Sequence, residues 1–233
     1  MSAFFKPLSA FLASSIGKKI LVALSGAALV VFVLGHLIGN LLIFAGPHAI
    51  NEYGHFLQTM VHGMGVWVAR IGLLVCVLVH IVLTIKLTKE NSAARQDRYG
   101  YNHTIKATKS SRFMIFSGLT LLAFIVYHLM HFTLKVGNNY SSLTTTLDGE
   151  QVHDVYRMVV HGFSWWPASA FYIFAMAMLC SHLSHGVSSM FQTLGLATAK
   201  TWPLFEKLGV AYALVIFIGN SSIPLAVLLG YVK

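Results

Sequence analysis

The chain has 233 residues, of which 56% are hydrophobic and only 10% are charged, and its mean hydropathy is +0.71. A soluble domain carries about a quarter charged residues, so this composition excludes an ordinary soluble protein. The net charge of +9 does not indicate nucleic-acid binding, because the basic residues cluster beside apolar runs, as they do in membrane proteins. The two cysteines, Cys76 and Cys180, both lie inside apolar runs, which argues against a disulfide framework.

Five apolar stretches are long enough to cross a membrane as helices, which takes roughly 20 residues each. They are residues 20–45, 67–87, 113–135, 165–190 and 208–231. The first is too long for the apolar core of a signal peptide, so we expect an uncleaved span. No long polar region remains, and lipid leaves no partners for unpaired backbone groups. The sequence therefore predicts an all-α bundle of five transmembrane helices, with residues 1–233 forming a single membrane-embedded domain.

Lysine and arginine residues are concentrated on one side of these spans. The N-terminal tail, the connection between spans two and three, and the connection between spans four and five carry Lys6, Lys18, Lys19, Lys86, Lys89, Arg95, Arg98, Lys106, Lys109, Arg112, Lys200 and Lys207. The opposite side carries Arg70, Lys135, Arg157 and Lys233. By the positive-inside rule, we expect a cytoplasmic N-terminus and an outside C-terminus.

Histidines occur within four of the five spans, and ionisable residues inside a membrane are functional candidates by default. Spans one and two contain His36 and His80; spans three and four contain the doublets His128/His131 and His182/His185. Counted from the charged ends, His36 and His128 fall in the outer half of the membrane. His80 and His185 fall in the inner half, so two layers are expected roughly 10–20 Å apart.

Two imidazoles that face each other across a bundle suit six-coordinate haem iron. Zinc fits less well, because its structural sites gather four ligands at one point. The members of each doublet are three residues apart and share a helix face. The residues alone therefore leave either member of a doublet open as the ligand.

Motifs around these histidines resemble a known family. They are Gly35-His36-Leu37-Ile38-Gly39-Asn40-Leu41, Gly46-Pro47, Asn51-Glu52-Tyr53, His80 ahead of Ala94-Arg95…Tyr99, His128-Leu129, His185-Gly186-Val187-Ser188-Ser189 and Gln192-Thr193-Leu194-Gly195. In this order they resemble the di-haem cytochrome b membrane subunit of succinate dehydrogenase and fumarate reductase (complex II, succinate:quinone oxidoreductase). The resemblance covers almost the whole chain.

The resemblance implies two b haems and a specific set of ligands. His36 and His128 would hold the outer haem, and His80 and His185 the inner haem; His131 and His182 are the alternative ligands. It also implies a bacterial or archaeal cytoplasmic membrane. Its implied partners are a flavoprotein with FAD and an iron–sulfur protein docked on the cytoplasmic face.

Electron transfer is the mechanism that the resemblance implies for this subunit, while the dicarboxylate chemistry would take place on the partner. Electrons would pass from succinate through the inner and outer haems to a membrane quinone, expected to be menaquinone, or in the reverse direction. We expect the quinone near the outer haem. Glu52, His55 and Gln58 are the candidates for proton exchange or for hydrogen bonds to the quinone carbonyls.

Two other functional interpretations fit part of the histidine pattern. The cytochrome b of another membrane dehydrogenase also places histidine pairs in a bundle. A histidine-lined metal or proton transporter would be colourless and would be expected to carry acidic residues within its spans. The five predicted spans contain no Asp or Glu, which favours the cytochrome.

Overall fold

The computed structural model describes residues 9–94 and 113–233. Its helices are α1 (Ser15–Leu41), α2 (Pro47–Thr59), α3 (Met64–Ala93), α4 (Met114–His128), α5 (Val155–Ser164), α6 (Trp166–Thr193) and α7 (Trp202–Leu228). Short 3₁₀ helices cover Leu42–Ala45 and Tyr140–Ser142, and α4 continues as a π-helix over Leu129–Thr133. Strands β1 (Thr144–Leu147) and β2 (Glu150–His153) pair antiparallel.

Five helical segments are long and apolar enough to cross a membrane, as the sequence predicts. They are Ser15–Ala45, Met64–Ala93, Met114–Thr133, Trp166–Thr193 and Trp202–Leu228. Many of their apolar side chains face outward, for example Val31, which is 73% exposed, and Val68, which is 72% exposed. Such a surface requires lipid around it. The chain is therefore a multi-pass membrane protein.

The bundle is organised around α1 and α6. Helix α1 packs against α3, α6 and α7, while α6 packs against α4, α7 and α1. Helices α6 and α7 approach each other closely at Gly209, where a Cβ atom would lie 2.9 Å from the carbonyl oxygen of Ser184. Small residues of this kind let transmembrane backbones come close together.

One end of the bundle is covered by α2, the β-hairpin and α5, which together form what we call the cap. Asn51 on α2 donates to the Asp154 carboxylate at 3.2 Å and accepts from the backbone N–H of Tyr156 at 3.0 Å, so it ties α2 to α5. Asp154 also caps α5 through the N–H of Arg157. Tyr53 packs its ring against Gly39 of α1, where a Cβ atom would collide with it.

At the opposite end, Lys18 of α1 is paired with Glu90 of α3. The Lys18 side chain is only 8% exposed, so the pair joins the two helices where they leave the membrane. Six basic residues that contribute to the expected orientation lie outside the described residues: Lys6, Arg95, Arg98, Lys106, Lys109 and Arg112.

Overpacking the α6–α7 contact is expected to destabilise the bundle. We expect Gly209→Leu to cost about 1–3 kcal/mol, because the side chain must displace backbone atoms of α6. This loss should lower the midpoint of thermal unfolding in detergent by several degrees. Gly72→Leu on α3 is the matched control, since a Cβ atom there meets nothing within 4 Å. Equal midpoints for the two variants would contradict this account of the packing.

Candidate functional site: two facing histidine pairs

The histidine pair far from the cap consists of His80 on α3 and His182 on α6. Their ring centres are 6.5 Å apart and the ring planes are inclined at 61°. Both rings are only half buried by protein. Each therefore faces a space between the helices.

Hydrogen bonds determine which ring nitrogen of His80 and of His182 keeps a lone pair that could bind a metal. The Nδ1 atom of His80 lies 3.2 Å from the carbonyl oxygen of Val22, which can only accept, so this nitrogen carries the hydrogen. The hydroxyl of Ser117 donates to the carbonyl of Met114 and lies 3.1 Å from Nδ1 of His182. It therefore accepts from that ring. Both Nε2 atoms keep a lone pair, as in metal-ligating histidines.

The pair nearer the cap consists of His36 on α1 and His128 on α4. Their ring centres are 5.8 Å apart with an interplanar angle of 88°. His36 also stacks on Phe32. Counting residues from the charged ends predicts His36 and His128 at one depth, and the structure places these two rings next to each other in an edge-on arrangement.

Tyr172 on α6 contacts both His128 and His131, and its hydroxyl must interact with the two rings in different ways. Its hydroxyl lies 3.2 Å from Nδ1 of both rings, and it has one hydrogen to give. One ring must donate to the oxygen while the other accepts the hydroxyl hydrogen. If His128 donates, its Nε2 keeps the lone pair toward His36, and His131 is held by the tyrosine. His131 instead stacks on Phe132, with ring centres 4.1 Å apart.

His185 does not face His80, contrary to the expected pairing; the alternative, His182, occupies that place. Three residues along a helix turn the direction of a side chain by about 300° and advance it by roughly 4.5 Å. The ring of His185 therefore lies farther from the cap, where its Nε2 is 3.0 Å from the Ser189 hydroxyl. It lines a groove of about 510 Å³ between α6 and α7, together with Glu206 and Lys207.

The distance between the two histidine pairs can be counted in residues along α1 and along α4. On α1, Ser25 lies 3.4 Å from Nδ1 of His80, and His36 follows eleven residues later. On α4, Ser117 contacts His182, and His128 also follows eleven residues later. At about 1.5 Å per residue, both helices give a separation of about 16 Å.

The donor set fits haem iron. An iron bound on opposite sides by two imidazoles, with metal–nitrogen bonds of about 2 Å, brings the ring centres roughly 6 Å apart. Both observed spacings, 5.8 and 6.5 Å, agree with that value. In addition, α1 and α4, like α3 and α6, scarcely touch through their described backbones. Space therefore remains between the helices that carry each pair.

Glycines line the far-side pair. A Cβ atom at Gly26 would lie 3.3 Å from the His80 ring, and one at Gly118 would lie 3.7 Å from the His182 ring. Across residues 9–94 and 113–233, no three or more His, Cys, Asp or Glu side chains gather as a metal site. Six-coordinate haem iron takes only two protein ligands, so a pair of histidines is sufficient to hold it.

The three quinone-site candidates separate in the structure. Glu52 is exposed and lies 3.7 Å from His48, and His55 lies 3.7 Å from Glu150 on β2. Neither the Glu52 nor the His55 side chain borders the cavity beneath the cap. Gln58 does: it borders a cavity of about 430 Å³ beneath the cap, which also includes Trp67, Arg70, Phe132, Thr133, Lys135, His153 and Met158.

This space, which we call the cap cavity, is close to the His36–His128 pair. Phe132 forms part of its wall, and the ring of Phe132 is centred 6.1 Å from that of His128. Its volume falls within the range of about 300–1,000 Å³ typical of small-molecule sites. Phe132 therefore belongs both to the wall of the cap cavity and to the surroundings of His128.

No protein-family model, curated protein or solved structure matches the chain.

Sequence reasoning missed the polar side chains that surround the histidines. Ser117 and Tyr172 lie on other helices than the rings they contact, and Lys135 and His153 meet only because the hairpin folds back.

Removing the Tyr172 hydroxyl is expected to destabilise the protein. Tyr172 is 7% exposed, and Tyr172→Phe would leave a ring nitrogen without its partner, at a cost of about 1–3 kcal/mol. Tyr231, which is 81% exposed, offers the control variant Tyr231→Phe. Thermal unfolding in detergent should separate the two, and an unchanged midpoint for Tyr172→Phe would show that its hydrogen bonds contribute nothing.

Proposed function

We propose that this chain is the di-haem membrane subunit of a succinate:quinone oxidoreductase, carrying electrons between an iron–sulfur partner and a membrane quinone. The observation that supports it is the presence of two facing histidine pairs at two depths of a five-helix bundle. A histidine with a purely structural role would not need a second histidine beside it. Two matched pairs, with Nδ1 hydrogen-bonded in three of the four rings, are what two b haems require.

In this proposal, His36 and His128 hold one haem, and His80 and His182 hold the other. A haem held in this way supplies one-electron transfer at its iron. Val22 and Ser117 keep the imidazoles of His80 and His182 in the tautomer that presents Nε2. Tyr172 would do the same for His128 when its hydroxyl accepts from that ring and donates to His131. The protein therefore orients the ligands before the cofactor binds.

The charge distribution supports the orientation. The described basic residues of the expected cytoplasmic side lie at the end opposite the cap: Lys18, Lys19, Lys86, Lys89, Lys200 and Lys207. That end is therefore proposed to face the cytoplasm and to bind the iron–sulfur and flavin subunits. The cap then faces outward, and the quinone is proposed to react there. The choice of succinate rather than another donor rests on the motifs that resemble complex II.

Haem content is the decisive measurement. The complex, purified in detergent through a tag on this chain, should give a b-type pyridine haemochrome with two haems per chain. One haem would mean that one histidine pair is structural. A colourless preparation would overturn the proposal and favour a histidine-lined transporter. Co-purification of a flavin-containing subunit and succinate-dependent haem reduction would distinguish complex II from other dehydrogenases.

Variants of the His182/His185 doublet assign the inner ligand. His182→Ala should abolish one of the two haem signals in the reduced-minus-oxidised spectrum, because His80 then lacks its facing ring. His185→Ala is the matched control on the next helical turn, and we expect both signals to remain. The opposite result would restore His185 as the ligand and would mean that α6 is rotated relative to this structure.

A further inference from the structure

We propose that the cap cavity is the quinone site, and that Lys135, supported by His153, gives a proton to a quinone carbonyl oxygen there. The inference rests on the proposed function, and it replaces Glu52 and His55 with two residues that sequence reasoning did not select. Four observations support it: the chemistry of the lining, the Lys135–His153 contact, the backbone at Lys135 and the position of Phe132.

The lining of the cap cavity suits a quinone ring that gains charge. Trp67, Phe132 and Met158 provide flat or apolar surfaces, and Gln58 provides an amide that can donate to a carbonyl oxygen. Arg70 lies over the Trp67 ring at 5.0 Å. With Lys135, it gives the cavity two cations and no lining carboxylate, which stabilises negative charge on a reduced ring.

Lys135 and His153 form a directed hydrogen bond. Nδ1 of His153 lies 2.9 Å from the carbonyl oxygen of Leu143, which can only accept, so that nitrogen donates. Nε2 of His153 is therefore the acceptor, and it lies 3.0 Å from the amino nitrogen of Lys135. The hairpin thus holds the ammonium group at the cavity wall by one of its three hydrogens. The other two remain available to a ligand or to water.

Electrostatics favour proton release by this pair. Burial lowers the pKa of Lys135 below its ordinary value. Burial also lowers the pKa of His153, and the nearby charge of Lys135 lowers it further, against the opposing effects of the Leu143 carbonyl and Asp154. Charged groups nearby on other elements are Arg70 on α3, Asp154 before α5, and Glu150 on β2 with His55 on α2.

The backbone at Lys135 indicates that a lysine is not needed there for folding. Lys135 has φ of 54°, in the left-handed region where glycine usually ends a helix. A side chain in this conformation costs free energy. Glycine at this position would remove that cost. The presence of a lysine is therefore consistent with a role for its ammonium group rather than with a role in ending the helix.

A quinone takes two electrons and two protons to become a quinol. A b haem held by His36 and His128 would supply the two electrons, one at a time. Lys135 transfers one proton from Nζ to one carbonyl oxygen and regains it from water; water at the cavity mouth supplies the second. His153 holds Lys135 in position, so Lys135 is the catalytic residue and His153 a positioning residue.

The test uses the complete complex with succinate and a short-chain 1,4-naphthoquinone. We expect Lys135→Gly to lower kcat about tenfold or more, while haem content and succinate oxidation by a phenazine dye stay unchanged. Thermal stability should be equal or higher, because glycine suits the left-handed conformation. Lys135→Arg keeps the charge but does not release a proton, so kcat should fall with little change in KM.

The pH profile separates a proton donor from a structural cation. Because Lys135 donates only when protonated, quinone reduction should fall as pH rises through its lowered pKa. This alkaline limb should be absent in Lys135→Arg, since arginine stays charged above it. In His153→Gln, kcat should fall because Lys135 loses its positioning contact, while the alkaline limb should remain because the lysine is still present.

Two controls make the outcomes distinct. His55→Gln changes a titratable residue of the cap that does not line the cavity, and it should turn over quinone normally. Calorimetric binding of the naphthoquinone should weaken in Lys135→Gly but persist in Lys135→Arg. Normal quinone turnover and binding in Lys135→Gly would overturn this inference while the haem content remained two per chain. A wild-type complex without haem would instead overturn the proposed function, and this inference with it.

Discussion

An imidazole inside a membrane must find a hydrogen-bond partner within the protein, and the bundle is arranged to meet that requirement. His80 uses a backbone carbonyl of α1, His182 a serine of α4, and His128 a tyrosine of α6. Each partner lies on a different helix from the ring it holds. These hydrogen bonds therefore link α3 to α1 and α4 to α6 at fixed heights along the bundle.

The same contacts explain the unusual segment at the end of α4. The π-helix Leu129–Thr133 adds a residue to the helical turn after His128. With this turn, both His128 and His131 reach the Tyr172 hydroxyl, and Phe132 turns toward the cap cavity. π-Helical turns are rare and occur frequently at functional sites. Here the turn connects the histidine pair to the cavity.

The parts of the fold that depend on long apolar runs could be predicted from the sequence. All five spans were found, because an uninterrupted apolar stretch of that length has few alternatives in a membrane. The hairpin was not expected, although Asp148-Gly149, with φ values of 50° and 88°, forms the tight turn for which Asp-Gly is suited. Its strands are only four residues long, and their polar pattern resembles a loop.

The histidine sites could be predicted only in part. Depth follows from residue number, so His36 and His128 were correctly expected to meet, and His80 to lie in the other layer. The choice between His182 and His185 depends on the rotation of α6, which sequence spacing does not fix. Similarly, Lys135 and His153 are separated by 18 residues, and their contact depends on how the cap folds over the bundle.

The spacing of the two histidine pairs has an energetic consequence for a respiring cell. In the proposed arrangement, about 16 Å separates the pairs, roughly half of the hydrocarbon thickness of about 30 Å. An electron that moves outward between them crosses about half of the membrane potential, which releases about 1 kcal/mol per 100 mV. A potential that is negative inside would therefore assist succinate oxidation by a low-potential quinone and oppose the reverse reaction, so the bundle would couple the redox reaction to the energy state of the membrane.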